Sequence, residues 1–252
     1  MSQRPAPTLA DSIAAAQAWW REAGVDYAYR DEPAGWLADE DSVAESGQAA
    51  LAALPAPPVE PARPAAGGDR GGWPQDFAAL GPWWLGEPSL DAGGMHPRLA
   101  PRGEADAAVL MLVPMPEAGD SDVLLSGAQG RLLAAFATAA GLAPAAVAVA
   151  AALPRYAPHP DWDGLAARGH GDVLLHLLAL ARPKRLMVFG RNILPLLGHV
   201  PAQAAPVLSE LTIQGRATPL LVAYTPENLL GSPRACKALW QRWLEWTDVD
   251  ER

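Results

Sequence analysis

Short apolar runs that alternate with amphipathic segments limit this chain to a small set of folds. The runs typical of buried strands are Val109–Val113, Val147–Leu153, Arg185–Phe189 and Pro219–Tyr224. The segments between and after them predict helices over residues 130–140, 172–181, 192–197 and 233–246. Strands that alternate with helices indicate a parallel sheet that is covered on both faces. We therefore expect a three-layer α/β/α fold with a mainly parallel central sheet.

The carboxyl ends of these strands are where functional side chains are expected. A doubly wound sheet binds its ligands in a crevice at the carboxyl ends of its strands. In this chain the relevant loops begin after Val113, Leu153, Phe189 and Tyr224.

The charge distribution divides the chain near residue 72. The 252 residues have a formal net charge of −9, and residues 1–72 hold 5 basic and 11 acidic side chains. We expect residues 1–48 to be an acidic segment with an amphipathic docking helix, which Thr8 or Asp11 caps and Gly24 ends. Residues 49–72 are rich in proline, alanine and glycine and predict a flexible linker. Residues 73–252 then form the folded domain.

The cysteine content and the hydropathy of the chain indicate the kind of cellular compartment in which it works. Cys236 is the single cysteine, so the chain cannot form an internal disulfide or supply a cysteine-based metal or cluster site. No apolar run reaches the ~18 residues that a membrane span needs, and the first residues lack the pattern of a secretory signal. We expect a cytoplasmic protein with no membrane contact, no metal and no other cofactor.

The strand ends carry a series of short motifs in a definite order. They are Val113–Glu117, the acidic pair Asp120 and Asp122, Leu124–Gly127, Gln129–Leu133, Arg182–Lys184, Leu196–Gly198 and Tyr224–Leu230. In order and spacing the series resembles the uracil-DNA glycosylase superfamily over most of residues 109–246, and it is closest to the bacterial iron–sulfur uracil-DNA glycosylases. The resemblance implies a sheet of uracil-DNA glycosylase type and a relation to DNA base-excision repair.

The departures from that family pattern are concentrated in the active site. The resemblance assigns Pro114 to the position of the family's catalytic Glu and Leu125 to that of the Phe on which uracil stacks. It assigns Thr225 to the His that stabilises the departing base. These three residues and Asn228 form the predicted substrate pocket, and the family's cluster cysteines have no counterparts. We therefore expect lost or weakened uracil excision on a retained scaffold.

Three polar residues are candidate substitutes for the missing catalytic groups. Glu117 and Asp120 follow the first strand closely enough for a displaced carboxylate, although a solvated acidic loop is the more ordinary explanation. His159 follows the second strand and is a candidate acid or hydrogen-bond donor near neutral pH. A turn histidine fixed by the neighbouring prolines is again the more ordinary explanation.

A basic tract lies towards the end of the chain. Residues 182–242 hold eight Lys or Arg and two carboxylates, a local excess of positive charge that attracts phosphate. The predicted DNA-binding residues are Lys184, Arg185, Arg191, Arg216, Arg234 and Lys237. A scattered solvated surface is the alternative.

Three functions remain open at this point. The first is a uracil-DNA glycosylase-like protein that binds DNA or a repair protein without its ordinary chemistry. The second is an active DNA glycosylase with rearranged catalytic residues, which acts on another base. The third is a protein-binding module without nucleic-acid contact, which recruits a partner through its amino-terminal helix and acidic segment.

Overall fold

The computed structural model describes residues 8–24, 65–198 and 205–248, and the chain divides into two units, residues 1–59 and 60–252. In the first unit α1 (Leu9–Glu22) begins after Thr8. The Asp11 amide donates to the Thr8 hydroxyl at 3.3 Å, and the Thr8 amide donates to the Asp11 carboxylate at 3.0 Å. This reciprocal cap satisfies amides that open the helix. Residues 49–64 of the predicted linker lie outside the described residues, whereas residues 65–72 pack on the folded unit, with Ala66 buried in its core and a 3₁₀ helix at Arg70–Gly72.

The second unit is built on a five-stranded sheet. Its strands are β1 (Val109–Val113), β2 (Val147–Ala151), β3 (Arg185–Phe189), β4 (Val207–Ile213) and β5 (Arg216–Ala223). They lie in the order β2-β1-β3-β5-β4, and every neighbouring pair is parallel except β4 with β5. The antiparallel pair turns at Gln214 and Gly215, which both have positive φ angles, as a tight hairpin requires. The mainly parallel sheet is confirmed, with β4 as an unpredicted edge strand.

Helices cover both faces of this sheet, because successive side chains of a strand point to opposite faces. Leu110, Leu186 and Val188 pack on the first face, and Met111, Met187 and Leu221 pack on the second. The helices on the first face are α2 (Phe77–Gly86), α4 (Trp162–Ala167) and α5 (His170–Ala181). Those on the second face are α3 (Ala128–Ala139), α6 (Pro226–Gly231) and α7 (Pro233–Asp248). The expected three-layer α/β/α architecture is confirmed.

The connections that leave β1 and β3 run to opposite faces, and this divergence positions the site. β1 leads to α3 on the second face, whereas β3 leads to a 3₁₀ helix, Arg191–Leu197, on the first. Doubly wound sheets form their ligand crevice between neighbouring strands with diverging connections, so the topology places the expected crevice at the loops after β1 and β3.

No helix within the described part of the chain is long and apolar enough to cross a membrane.

Candidate nucleic-acid interface

The carboxyl ends of β1, β3 and β5 meet at Gly190. Its amide donates to the Ala223 carbonyl at 2.9 Å, and its φ angle of +104° is one that side-chain-bearing residues rarely adopt. A Cβ at this position would lie 3.0 Å from Thr225 Cγ2 and 3.2 Å from Pro114 Cγ. The loops after the three strands therefore close on one glycine, which allows them to approach one another.

The side chains around this crevice are mostly apolar. Pro114 is buried, and Leu125 is 4% exposed within the apolar cluster beneath α3. Thr225 is half-buried, and its hydroxyl accepts a hydrogen bond from the Asn228 amide at 3.3 Å as the cap of α6. Pro114, Leu125 and Thr225 supply no ionisable group, and Asn228 is exposed beside them.

Glu117 caps the start of α3 from the loop that follows β1. One carboxylate oxygen accepts from the Gly127 and Gly130 amides at 3.0 Å each, and the other accepts from the Gln129 amide at 3.1 Å. Gly127, the N-cap residue, has no side chain with which to bind these amides. The carboxylate of Glu117 therefore satisfies helix-opening N–H groups that would otherwise be unpaired.

Asp120 holds the same loop in place. It is 5% exposed, and one oxygen accepts from the Glu117 and Leu125 amides at 2.8 Å each. The other oxygen accepts from the Ser126 amide at 2.8 Å and the Ser126 hydroxyl at 2.7 Å. These four bonds match the number that a carboxylate can accept, so Asp120 has no further acceptor capacity for a substrate or water. The catalytic assignment of Glu117 and Asp120 stays a prediction, and the geometry gives both residues a structural task.

His159 lies apart from those two carboxylates. It is exposed on the loop after β2 and lines a pocket that also includes His96 and Tyr156. Neither Glu117 nor Asp120 lines this pocket. The structure therefore does not gather the three predicted catalytic substitutes into one constellation.

The fold divides the six predicted DNA-binding cations between two edges of the sheet. Lys184, Arg185 and Arg216 stand at the amino ends of the parallel strands β3 and β5. The Arg185 guanidinium lies 5.6 Å from the centroid of the Trp246 ring, and Arg216 donates to the Pro183 carbonyl at 3.2 Å. Two of these three side chains thus make local contacts within the fold.

The other three cations, Arg191, Arg234 and Lys237, are exposed at the carboxyl edge. Arg191 follows β3, while Arg234 and Lys237 belong to α7, beyond the end of β5. Beside Arg234 runs an open groove of about 750 Å³, here called the β5 groove. It is lined by Tyr224, Glu227, Asn228, Gly231, Ser232, Arg234, Ala235 and Ala238.

The electrostatics of α7 favour an anion at this groove. The Ser232 hydroxyl accepts from the Ala235 amide at 3.2 Å at the start of the helix, where the helix dipole is positive. Arg234 lies in this first turn, and Lys237 follows three residues later on the same side. Within the described residues neither cation is in an ion pair. Cations at a helix start oppose the dipole, so their placement serves an external negative charge better than it serves the helix.

The cysteine content of this chain does not fit the iron–sulfur cluster of the bacterial iron–sulfur uracil-DNA glycosylases. Such a cluster is held by several cysteine thiolates, and this chain has only Cys236. Its Sγ donates to the Leu229 carbonyl at 3.1 Å between α6 and α7.

Tyr224 lines the β5 groove, a position that the sequence motif Tyr224–Leu230 did not predict. It directly follows β5 and is 36% exposed, so an aromatic ring stands at the rim of the basic edge. The sequence does show an aromatic residue directly after a strand. It does not show whether the ring is exposed, because that depends on how α6 and α7 pack.

No protein-family model and no curated protein matches the chain.

Proposed function

We propose that this chain is a uracil-DNA glycosylase-like protein that binds a DNA strand along the β5 groove and leaves uracil in place. The observation that carries the proposal is the combination of Tyr224, Asn228, Arg234 and Lys237 at the carboxyl edge. The proposal includes a cytoplasmic location, where the single cysteine remains reduced.

The β5 groove has the chemistry that a single strand needs. Cations contact the phosphate backbone and supply most of the sequence-independent affinity. An exposed aromatic ring offers a stacking surface for a base, and Tyr224 is such a ring. Asn228 and Ser232 add hydrogen-bonding groups to the lining. Glu227 is a carboxylate in the same groove and weakens the attraction for phosphate.

The absence of excision follows from the neighbouring crevice. Cleavage of a base–sugar bond needs a positioned carboxylate or water and donors towards the departing base. Pro114, Leu125 and Thr225 supply no such carboxylate, while the Glu117 and Asp120 carboxylates are occupied by hydrogen bonds from their own loop. The resemblance at the strand ends and these geometric features together support a binding role.

The test is the affinity of a fluorescent 12-nucleotide single strand over a series of salt concentrations. Replacement of Arg234 and Lys237 by Ala is expected to weaken binding at least tenfold. It should also reduce the slope of log K against log salt by about 0.7 for each phosphate that the variant no longer neutralises. Lys184→Ala is the matched control, because this exposed lysine stands at the opposite edge of the sheet. Glu227→Gln should strengthen binding. Equal affinities in all four proteins would contradict the proposal.

Excision is tested separately on uracil-containing and modified-base duplexes. The proposal predicts no abasic product from wild-type protein. Product formation that Asp120→Asn or His159→Ala abolishes would instead support the active-glycosylase alternative.

Protein recognition through α1 is the second candidate function. None of the residues of α1 is buried, and Ile13, Trp19 and Trp20 are 51%, 60% and 52% exposed. Failure of the chain to bind any nucleic acid at low and at high salt would favour this candidate over DNA binding.

A further inference from the structure

A second pocket lies at the carboxyl end of β2, outside the β5 groove. We call it the β2 pocket. Its volume is about 550 Å³, within the range of small-molecule sites. The loop of residues 153–161 forms one wall, residues 90–96 form another, and residues 164–168 complete it. β1 and β3 separate β2 from β5 in the sheet, so the two sites stand on different strands.

A partly buried ion-pair network holds these walls together. The Asp91 carboxylate accepts from Arg98 Nε at 2.9 Å and from Arg155 Nε at 2.7 Å, and these side chains are at most 16% exposed. Arg155 also donates to the Gly94 and His96 carbonyls at 2.9 Å and 2.7 Å. Burial raises the pKa of Asp91, but the hydrogen bonds from Arg98, Arg155 and Gly93 outweigh it and hold the pKa below its ordinary value. The carboxylate remains charged, and the walls are preorganised for a ligand.

Arg168 is the cation of the pocket that this network does not use. Its side chain has no hydrogen bond or ion pair with any described residue. Asp161, the other acid that lines the pocket, accepts a hydrogen bond from the Gly164 amide at 2.9 Å as the cap of α4. The lining cations Arg155 and Arg168 balance the lining acids Asp91 and Asp161, and Arg98, which pairs with Asp91 from outside the lining, adds one positive charge. An anionic group on the ligand would balance it.

Flat rings and an apolar floor complete the lining. The His96 and Tyr156 rings meet edge to face at a centroid distance of 4.9 Å, which fixes the orientation of both. Leu90, Leu153 and Leu165 are buried residues that line the same pocket. The site therefore combines a guanidinium for an anion with aromatic and aliphatic surfaces for a planar ring.

We propose that the β2 pocket binds a nucleoside monophosphate group, with Arg168 at the phosphate and the His96 and Tyr156 rings beside the base. The ligand is either a free nucleotide or the 5′-phosphorylated end of a strand. The proposal does not rest on DNA binding at the β5 groove.

The test is calorimetric titration of the full chain with thymidine 5′-monophosphate and with thymidine. The monophosphate is expected to saturate one site and to bind at least tenfold more tightly than thymidine. Arg168→Gln should weaken the monophosphate at least tenfold and leave thymidine unchanged, whereas Tyr156→Leu should weaken both. Arg242→Gln is the matched control, because Arg242 is an exposed arginine on α7 that pairs with Glu245. No saturable binding, equal affinity for the two ligands, or an unchanged Arg168→Gln variant would each overturn the proposal.

Competition experiments identify the source of the nucleotide. They use the Arg234→Ala/Lys237→Ala protein, so that the β5 groove does not contribute. Displacement of the monophosphate by a 5′-phosphorylated oligothymidylate, but not by its 5′-hydroxyl form, supports a strand end. Displacement by free nucleotides alone supports a mononucleotide ligand. Displacement by benzoate at equal concentration would overturn the nucleotide assignment in favour of a simple aromatic anion.

Discussion

At the scale of single residues, the carboxylates near the crevice bind backbone groups of their own loop and of the helix that follows it. Asp120 receives four hydrogen bonds from its own loop, and Glu117 receives three at the start of α3. Gly190 lets Pro114 and Thr225 come together where neither side chain can ionise. The carboxylates therefore stabilise the loop architecture, and Pro114 and Thr225 bring no ionisable side chain to the crevice beside them.

Asp120→Asn should destabilise the protein and leave its affinity for DNA unchanged. The NH₂ group of the asparagine would face backbone N–H groups that now donate to the carboxylate, and these hydrogen bonds would be lost. The expected cost is about 2–3 kcal/mol in the free energy of unfolding. Urea denaturation measures this loss. Asp122→Asn is the control, because Asp122 is exposed in the same loop and accepts from Ser121 Oγ at 2.9 Å. An Asp120→Asn protein of wild-type stability would show that its hydrogen bonds do not hold the loop.

His170 gives the stability of the protein a defined pH dependence. Burial, and next the charge of Arg168, lowers the pKa of His170 to about 4 from 6.5, while Asp91 opposes this shift. Between these two values the unfolded chain binds more protons, so stability falls as the pH is lowered from 6.5 towards 4. The loss is about 3 kcal/mol when it is complete. Urea denaturation of His170→Leu should lack this loss, and His159→Gln, at an exposed histidine, should retain it. The same loss in both variants would contradict the assignment.

At the scale of secondary-structure elements, α7 carries two of its three cations, Arg234 and Lys237, in its first half and has no acid in its first turn. Arg234 lies in the first turn, where the dipole favours an acid. Lys237 follows on the same side, and Arg234 lines the β5 groove. A helix that keeps cations at its start is better explained by an anionic ligand than by the needs of the fold.

Arg234→Glu should therefore change stability and binding in opposite directions. An acid in the first turn is favourable, so the free energy of unfolding should rise by up to ~1 kcal/mol. Affinity for a single strand should fall at least tenfold, because an attraction to phosphate becomes a repulsion. Thermal denaturation and fluorescence anisotropy on the same preparation measure the two effects. A parallel decrease in both would point to a structural role for Arg234.

Some element boundaries could be predicted from the sequence, and some contacts between elements could not. The ends of β1 and β3 were predictable, because their apolar runs stop at Pro114 and Gly190. The capping role of Glu117 was not, because its partners are backbone amides ten or more residues away and leave no side-chain pattern. The sequence also could not predict that the six cations divide between the amino and carboxyl edges of the sheet, because this division depends on the direction and order of the strands. The helix over 192–197 forms as a 3₁₀ helix that contains Pro195, which has no amide hydrogen to donate.

At the scale of the whole molecule, local charge and net charge differ in sign. The chain carries a net charge of −9, yet the exposed cations Arg191, Arg234 and Lys237 at the carboxyl edge outnumber Glu227, the single acid that lines the β5 groove. Solvent and salt screen distant charges beyond about 8–10 Å at physiological ionic strength, so the nearby cations govern the approach of a phosphate. The net charge of −9 is therefore compatible with the proposed binding of DNA at this edge.

The most direct test of the central claim is one assay on a fluorescent single strand that contains a single uracil. Binding is measured by anisotropy, and the same sample is then treated with alkali, which cleaves the strand wherever the base has been removed. The account predicts saturable, salt-dependent binding with the strand left intact. Strand cleavage at the uracil, or no binding at low salt, would contradict it.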